Sequence, residues 1–242
     1  MVLTVSLLTF LLAGFVKGVI GLGLPTVAVG LLGLVMPPAQ AAALLIIPSF
    51  VTNVWQLVTG PAFRPLLRRF WTLLFGICLG TLIGGWLGAG VGKSADAWLG
   101  AALLAYAALG LSRLNFSVSP RFEPILSPVI GVATGLVTGV TGVFVVPAVP
   151  YLQALELERD DLVQALGLSF TVSTVALAGS LAHSGLLGGP LLGWSLAVLV
   201  PALAGMAIGQ WARNKISAQT FRTWFFIGLA ALGIDLVAQA AF

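Results

Sequence analysis

A single lysine lies in the first long apolar segment of the chain, within a cluster of glycines. Lys17 directly precedes Gly18 in a segment with no other charged residue, and the first acidic residue of the chain is Asp96. In a hydrocarbon environment a lysine is costly unless it is paired or faces water. Because no carboxylate is near in sequence, this lysine predicts a bound anion as its partner. The alternative is a lysine that extends to the membrane interface or serves folding alone.

A second glycine cluster repeats the first without its charge. Residues 14–21 and 135–142 share the pattern Gly-x3-Gly-x2-Gly at an offset of 121, and Pro25 and Pro147 follow. Glycines followed by a proline predict a helix that breaks and restarts, since proline suits the first turn of a helix. A restarted helix presents free N–H groups and the positive end of its dipole. Two such ends at bilayer depth predict an anion site.

These clusters and a few polar neighbours make up the predicted site. Thr138, which corresponds to Lys17, and Thr141 offer hydroxyls to a substrate or bond to their own backbone instead. Asn53 and Gln164 line a pathway or form hydrogen bonds between helices, the commoner role of such groups. The predicted substrate-binding residues are Lys17, Gly18, Gly21, Asn53, Thr138, Gly139, Thr141, Gly142 and Gln164.

Two titratable residues are candidates for moving a coupling proton. His183 lies near the end of an apolar segment, where it is a loop histidine or part of a proton relay. Asp235 lies in the last apolar segment, close to the interface at the C-terminal end. The sequence leaves the role of both open.

The sequence lacks the motifs of enzymes and of ATP-driven pumps. It contains no GxxxxGK[ST], HExxH, GxSxG or CxxC, and its run GVIGLG at 18–23 does not have the spacing of a nucleotide-binding fingerprint. The sole cysteine, Cys78, excludes an internal disulfide and a cysteine metal cluster. We therefore predict a protein that is not an enzyme, has no catalytic or metal site and needs no cofactor.

The composition indicates the setting in which this site must be built. Of the 242 residues, 59% are hydrophobic and 7% are charged, whereas ordinary soluble domains are about one quarter charged. Residues 18–63, 124–155 and 162–212 contain no Asp, Glu, Lys or Arg. Since about 20 apolar residues of helix cross a bilayer, the chain is predicted to be a polytopic helical membrane protein. Its glycines recur every three or four residues, which favours packed helices over a membrane β-barrel.

The excess of basic residues is interpreted as a determinant of topology. The net charge of +4 comes from residues scattered between apolar segments, so it does not predict a nucleic-acid partner. The N-terminus has no basic region before its apolar run, so a cleaved signal peptide is not expected.

Internal repetition divides the chain into two halves. Beyond the glycine clusters, Gln40-Ala41 matches Gln164-Ala165, and Gly-x3-Gly-x-Trp occurs at 80–86 and again at 205–211. We predict a first repeat over 1–115, a linker over 116–124 and a second repeat over 125–242. The apolar segments form two sets of four, at 3–35, 39–60, 70–91, 97–114, 125–153, 161–183, 187–211 and 220–241.

The distribution of basic residues distinguishes two topologies. If every apolar segment crosses once, the repeats are parallel and the loop charges divide five against five. If the first segment of each repeat is a re-entrant hairpin with arms of about 12 to 15 residues, the repeats are inverted. One face then holds only Lys93, and the other holds Arg64, Arg68, Arg69, Arg113, Arg121, Arg159, Arg213, Lys215 and Arg222.

The nine-against-one division is the asymmetry expected from the positive-inside rule. The predicted fold class is therefore an all-α polytopic membrane protein with two inverted repeats, each a re-entrant broken-helix hairpin plus three transmembrane helices. Both termini are predicted outside, and the face with nine basic residues is predicted to be cytoplasmic.

The duplicated glycine motifs, the following prolines and the eight hydrophobic segments resemble the TSUP, or sulfite exporter TauE/SafE, family of bacterial membrane transporters. The resemblance covers essentially the whole chain. It implies an inner-membrane transporter of small anions, among them sulfite and organosulfonates, without a cofactor. The chain departs from the usual glycine-rich run after the motif, with residues 21–25 reading GLGLP and residues 142–147 reading GVFVVP.

The predicted function is secondary transport of a small anion, sulfur-containing by the resemblance, by alternating access around a site at the bilayer midplane. A passive anion channel is the alternative, because it would use the same helix ends. The expected partners are the anion, the lipid bilayer and a coupling proton or cation. The sequence does not give the particular anion, the direction of transport or the oligomeric state.

Overall fold

The computed structural model describes residues 2–88, 94–112, 117–213 and 215–241. Its first half contains helices α1 (Val2–Ile20), α2 (Leu24–Gly33), α3 (Pro38–Val58), α4 (Phe63–Gly88) and α5 (Ser94–Leu111). A 3-10 turn (Pro120–Phe122) leads into α6 (Glu123–Thr141), α7 (Ala148–Ala154), α8 (Arg159–His183), α9 (Gly189–Arg213) and α10 (Ala218–Ala241). The described residues include no β-strand.

Eight of the described helices are long and apolar enough to cross a membrane, and α2 and α7 are shorter. Large apolar side chains are exposed on the outer helices, including Trp71, Trp86 and Trp211. Such a surface is unsuited to water and suits lipid. The prediction of an all-helical, multi-pass membrane protein is confirmed.

The first predicted helix break lies between α1 and α2. Gly21 and Gly23 have φ angles of 79° and 102°, which side chains other than glycine rarely adopt. Helix α2 then begins at Leu24, with Pro25 in its first turn. The Thr26 hydroxyl donates to the Gly23 carbonyl at 2.9 Å. Glycine conformation and proline position therefore reverse the chain here within three residues.

The second break is longer. Helix α6 ends at Thr141, and Gly142 follows with a φ of 76°. Residues 143–147 are non-helical before α7, which has only seven residues and follows Pro147. The second half of the chain therefore restarts its helix later than the first half.

The predicted hairpin arms of equal length are wrong. The first arms, α1 and α6, each have 19 residues, whereas α2 has 10 and α7 has seven. The reason is that the first glycines of each cluster do not break the helix. A Cβ on Gly14 would overlap the Ala202 carbonyl oxygen of α9, and one on Gly135 would overlap the Ile77 carbonyl oxygen of α4. These glycines allow two helix backbones to touch, which is a common use of small residues in membranes.

The same kind of close glycine contact joins α4 of the first half to α6, and α9 of the second half to α1. On α4, Gly80 and Gly84 lie against Val132 and Leu136 of α6. The corresponding glycines of α9 lie against Leu11 and Phe15 of α1, as Gly205 and Gly209. In each pair the contacts advance together along both helices, so α1 is parallel to α9 and α4 is parallel to α6.

Two further cross-half pairs run antiparallel. Along α3 and α8, Gly60 lies against Gln164, whereas Asn53, earlier in α3, bonds to Thr174, later in α8. Between α5 and α10, Gly100 contacts Gly233 and Gly110 contacts Phe226. These crossings form the centre and one side of the bundle.

Both broken helices double back. In the first half, Gly23, Gly30 and Gly33 lie beside Phe225, Leu232 and Leu236 respectively, so α2 runs parallel to α10 and opposite to α1. In the second half, Tyr151 of α7 bonds to Ser127 near the start of α6, with 2.7 Å between their hydroxyls. The Val118 N–H donates to the Ala154 carbonyl at 2.9 Å. Residues 142–154 therefore return to the end of the molecule at which α6 begins.

Candidate functional site

Lys17 is buried near the end of α1 and reaches α3. Its Nζ donates hydrogen bonds to Thr52 Oγ1 at 3.0 Å and to Asn53 Oδ1. Asn53 Nδ2 in turn donates to Thr174 Oγ1 of α8 at 3.2 Å. Each of these four residues is at most 5% exposed. The chain of hydrogen bonds therefore links α1, α3 and α8 in the interior of the bundle.

No carboxylate neutralises this lysine within the part of the chain that the structure describes. The ion pair found there joins Arg69 and Glu123, with 2.7 Å between Nε and Oε1, near the starts of α4 and α6. The partners of Lys17 are a hydroxyl and an amide, which accept hydrogen bonds but carry no charge. A buried charge is unfavourable unless an opposite charge compensates it. In its protonated form, Lys17 therefore places a net positive charge in the interior that an anion would stabilise.

A proline break in α3 lies one turn before the lysine's partners. Pro48 has no N–H, so the Leu44 carbonyl lacks its usual helical donor. Ser195 of α9 replaces it, because its Oγ donates to Leu44 O at 2.8 Å and accepts from Ile47 N at 3.2 Å. The Thr52 hydroxyl donates to Pro48 O at 2.7 Å, which leaves its oxygen free to accept from Lys17.

Several buried hydroxyls near the α3–α8 crossing have no hydrogen-bond partner. Ser49 lies one helical turn before Asn53, and Ser173 directly precedes Thr174. Both are at most 1% exposed. A buried polar group without a partner carries a desolvation cost, so a native structure generally has a reason for it. The same condition holds for Thr81, Thr134 and Ser169.

A family model described as Sulfite exporter TauE/SafE matches residues 6–236.

The chain belongs to the sulfite exporter TauE/SafE family.

Membership makes this a membrane transporter, in agreement with the spanning helices, and a member of a family that acts on small anions. No curated protein and no solved structure matches the chain.

The four glycines predicted for the site have two different environments. Gly18 and Gly139 lie in helix interfaces, where a Cβ would overlap Met206 O and Gly85 N respectively. Gly142 lies beyond the end of α6, and a Cβ there would meet that of Ala42 at 2.7 Å. Gly21 alone has open space around its Cβ direction, with no heavy atom within 4 Å. Of the four, only Gly21 has room for a ligand beside its Cα.

The two predicted threonines bond to the backbone of their own helix. Thr138 Oγ1 donates to Thr134 O, and Thr141 Oγ1 donates to Val137 O, both at 2.7 Å. Thr141 Oγ1 also accepts from Val143 N at 3.1 Å, which supports the end of α6. The sequence left two roles open for these hydroxyls, contact with a substrate or a bond to their own backbone. In the structure both hydroxyls bond to their own backbone.

Gln164 lies at the turn between α3 and α4 and not beside Lys17. Its Nε2 donates to Leu57 O at 2.8 Å and to Gly60 O at 2.7 Å. Its Oε1 accepts from Ala62 N at 2.7 Å. All three bonds join α8 to this turn, so the geometry gives the amide a positioning role.

The candidates for a coupling proton are both exposed. His183 lies in the last turn of α8, and Asp235 Oδ2 accepts from Gln239 Nε2 at 2.7 Å on the outside of α10. Neither is connected to Lys17 by the hydrogen bonds of the described residues. No group of three His, Cys, Asp or Glu able to hold a metal occurs within the described ranges.

The structure brings together Lys17 and Asn53, which the sequence singles out separately, and adds residues that the predicted set omits. Thr52 and Ser49 are one and four positions before Asn53, and Thr174 is 121 positions after it. The helical spacing from Asn53 is the sequence signal that points to Ser49 and Thr52, whereas Thr174 is found only through the packing of α8 against α3. We call this group of buried polar residues the central polar cluster; it consists of Lys17, Ser49, Thr52, Asn53, Ser173 and Thr174.

Proposed function

We propose that this protein is a secondary transporter of small, sulfur-containing anions in the bacterial inner membrane. In this proposal the anion binds at Lys17, inside the central polar cluster, and is released to either side by alternating access. The observation that carries the proposal is the buried lysine whose hydrogen-bond partners, Thr52 and Asn53, are neutral. Family membership supports an anion as the missing charge. A sulfur oxyanion suits the cluster because its oxygens accept hydrogen bonds from ammonium and hydroxyl groups.

The proposed halves are inverted repeats over 1–115 and 125–242, joined by a linker over 116–124. Two observations support inversion. Helices α3 and α8 correspond at the offset of 124 that Gln40 and Gln164 define, and they cross antiparallel, with Asn53 of one bonded to Thr174 of the other. Corresponding helices of two repeats cross antiparallel when a two-fold axis perpendicular to the helices relates the repeats. The glycine contacts of α1 with α9 and of α6 with α4 also correspond, with offsets of 121 in one helix and 125 in the other.

The re-entrant hairpins explain how six full crossings arise from eight long helices. Helices α1 and α6 are long enough to span, but α2 and residues 142–154 return each chain segment to the side from which it came. This arrangement keeps irregular backbone inside protein, since lipid offers no partner for free N–H and C=O groups. The site then lies between the two hairpins, next to the α3–α8 crossing, as in other transporters that use broken helices.

The basic residues support the proposed orientation. The Arg69–Glu123 ion pair brings the starts of α4 and α6 to one end of the bundle, and the Gln164 bonds bring the start of α8 there. Contacts between Gly110 and Phe226 add the junction of α9 and α10. We propose that this end is cytoplasmic and that both termini are outside. Lys93 and Arg113, which the sequence assigns to opposite faces, lie outside the described residues.

The packing suggests which parts move. Because α1 is locked to α9 and α6 to α4 through glycines, each pair is expected to move as a unit. The antiparallel crossing of α3 with α8 contains the site, and further contacts between the halves join α5 to α10, α4 to α8 and α3 to α9. Alternating access is then a rocking of one locked pair against the other about the central polar cluster.

The test of the function uses purified protein in proteoliposomes. Lys17→Gln is expected to lower uptake of radiolabelled sulfite by at least about tenfold, since a hydrogen bond to a charged group contributes about 1.5–3 kcal/mol. Lys215→Gln is the matched control, because it removes an exposed lysine that lies 3.7 Å from the ring centroid of Trp211. Equal uptake by the Lys17→Gln variant and the unmodified protein would exclude Lys17 as the binding group.

The same vesicles separate a transporter from a passive anion channel. Coupled transport concentrates sulfite above the external level, and an uncoupler abolishes this accumulation. A channel only equilibrates sulfite, and its flux persists with the uncoupler. Accumulation is the result that the proposed function expects.

A further inference from the structure

The two ends of the crossing between α3 and α8 are held in different ways. At one end, the side-chain amide of Gln164 makes three hydrogen bonds to the end of α3 and the turn that follows it. Gln56 adds a bond in the opposite direction, because its Nε2 donates to Val163 O of α8 at 3.1 Å. Both glutamines are buried. Hydrogen bonds from side-chain amides therefore close this end, which is called the Gln164 end below.

At the opposite end of the crossing, α3 and α8 contact each other through apolar side chains. Ala42, Ala43 and Ile46 of α3 form a cluster with Leu177 and Leu181 of α8. Apolar contacts are not directional, so they hold two helices together without fixing a single arrangement. This end, called the Gln40 end below, is therefore closed by packing.

Gln40 is the counterpart of Gln164, yet its surroundings are the reverse. Each of the two glutamines lies near the start of its helix and is followed by an alanine, at an offset of 124. Gln40 is two positions before Ala42, so it lies at the end of the crossing that contains Leu181. Its side chain is exposed and makes no hydrogen bond within the described residues, whereas Gln164 is 1% exposed and makes three. One glutamine is therefore bonded into its end of the crossing, and the other is not.

The backbone next to each glutamine differs in the same way. The Leu57 carbonyl and the Ala62 N–H both bond to the Gln164 side chain, at 2.8 and 2.7 Å. Their counterparts at the offset of 124 are Leu181 and Leu186, and there the N–H donates directly to the carbonyl at 2.9 Å. A glutamine is therefore inserted between two backbone groups at one end, and the equivalent groups at the other end bond to each other.

We propose that Gln164 and Gln40 are paired gating residues, which close opposite ends of the transport pathway in alternate states. In the present conformation Gln164 closes its end, which the proposed orientation makes cytoplasmic. In the other state Gln40 inserts between Leu181 O and Leu186 N, and Gln164 leaves the turn after α3. Such an exchange is expected for inverted repeats, because the two halves exchange conformations when the site changes sides. This inference rests on the proposed function and names the residues that determine which end is closed.

The exchange leaves the buried backbone groups paired in both states. When Gln164 withdraws, the Leu57 carbonyl and the Ala62 N–H are free to bond to each other, as those of Leu181 and Leu186 do in the present conformation. An unpaired backbone group in the interior would be costly. Because each state has one inserted glutamine and one directly bonded turn, the two states lie close in free energy, as a transporter that populates both requires.

Two reporter cysteines in a Cys78→Ala background measure which end is open. Ser169→Cys places a thiol in α8 five positions after Gln164, and Ile46→Cys places one in the apolar cluster of the Gln40 end. Both positions are at most 9% exposed, so their modification requires that end to open. Each reporter is introduced separately, and the protein is reconstituted into lipid nanodiscs, in which a small, charged methanethiosulfonate reagent reaches both faces. The rate of thiol modification is measured.

Gln164→Ala is expected to raise the modification rate of the Ser169→Cys reporter at least about fivefold and to lower that of the Ile46→Cys reporter. The reason is that the loss of hydrogen bonds at the Gln164 end favours the other state. Gln40→Ala should change both rates in the opposite direction. Gln153→Ala is the control, since its side chain is also exposed and makes no hydrogen bond within the described ranges, and it should leave both rates unchanged.

The double variant Gln40→Ala/Gln164→Ala tests whether the two glutamines act on one equilibrium. Its rates should return towards those of the protein with both glutamines, since the two effects oppose each other. A general loosening of the fold would raise both rates in every variant. Rates that change in the same direction in the two single variants, or that stay unaltered in either, would overturn paired gating.

Uptake of radiolabelled sulfite into proteoliposomes separates a failure of this inference from a failure of the proposed function. Sulfite uptake together with unaltered modification rates would overturn gating by the glutamines and leave the transporter intact. Reciprocal rate changes without any sulfite uptake would support the gating pair and overturn sulfite as the transported anion.

Discussion

At the scale of single residues, the neutrality of Asn53 is as important as the charge of Lys17. The Asn53 amide accepts from the ammonium on one side and donates to Thr174 on the other. An aspartate has nearly the same shape, but it would supply the lysine with a permanent counter-charge. The amide therefore orients the lysine without neutralising it.

Asn53→Asp is expected to lower sulfite uptake by at least about tenfold. The new carboxylate forms an ion pair with Lys17 and competes with the anion, and a buried, hydrogen-bonded pair is costly to separate. The melting temperature without ligand should stay the same or rise. Uptake and melting are measured on the same preparation.

Asn53→Ser is the companion variant, because it is neutral and retains a hydroxyl. It should lose less uptake than Asn53→Asp, although it removes more atoms. The opposite order would mean that the shape of residue 53 matters and its charge does not.

The sequence identifies Lys17 and Asn53 because each is a polar residue in a long apolar segment. It does not show that they meet, because the contact depends on how α1 and α3 pack. For Gln164 the same signal has a different cause, since its amide bonds to the turn between α3 and α4. Polarity in an apolar segment thus predicts a buried hydrogen bond, and only packing determines whether that bond is structural or belongs to a site.

At the scale of helices, glycine has two separate uses within one motif. The first two glycines of each cluster allow contact with another backbone, and the third lies in a left-handed conformation that ends the helix. The sequence pattern predicts the break correctly but not the arm lengths. Contact with α9 or α4, which is remote in sequence, keeps α1 and α6 helical through their first glycines.

Gly135→Ala is expected to destabilise the protein by about 1–3 kcal/mol, the usual cost of overpacking a close contact. The new Cβ would overlap the Ile77 carbonyl oxygen, and backbone cannot turn aside as a side chain can. The free energy of unfolding in mixed micelles measures the effect.

Gly179→Ala is its matched control in α8. A Cβ at Gly179 has no heavy atom within 4 Å, so this variant should gain about 0.5–1 kcal/mol from helix propensity. Equal effects of the two substitutions would contradict the close packing of α4 against α6.

At the scale of the whole molecule, the proposed topology assigns opposite sides of the membrane to different segments. Labelling of single cysteines in a Cys78→Ala background tests this in intact cells. A membrane-impermeant maleimide should react with a cysteine placed at Leu3 or at Gln239, both of which are exposed on helices near the termini. It should not react at Glu158, beside the start of α8. Labelling at Glu158 together with protection at Leu3 would reverse the orientation.

The predicted number of crossings depends on how the basic residues are distributed. Eight apolar helices by length alone would give eight crossings, and the charges favour six. The sequence does not show which helix of the other half each helix packs against, because the glycine spacing in α1 does not identify α9 as its neighbour.

The packing of helices from one half against helices of the other affects the order in which the molecule can be completed during synthesis. Helix α1 emerges first, yet Gly14 and Gly18 face Ala202 and Met206, close to the other end of the chain. Until α9 enters the membrane, the groove of small residues on α1 has no protein neighbour, whereas α4 meets α6 soon after it is made. The contact of α1 with α9 therefore forms only when nearly the whole chain has left the ribosome, whereas Lys17 can bond to Thr52 and Asn53 as soon as α3 is made.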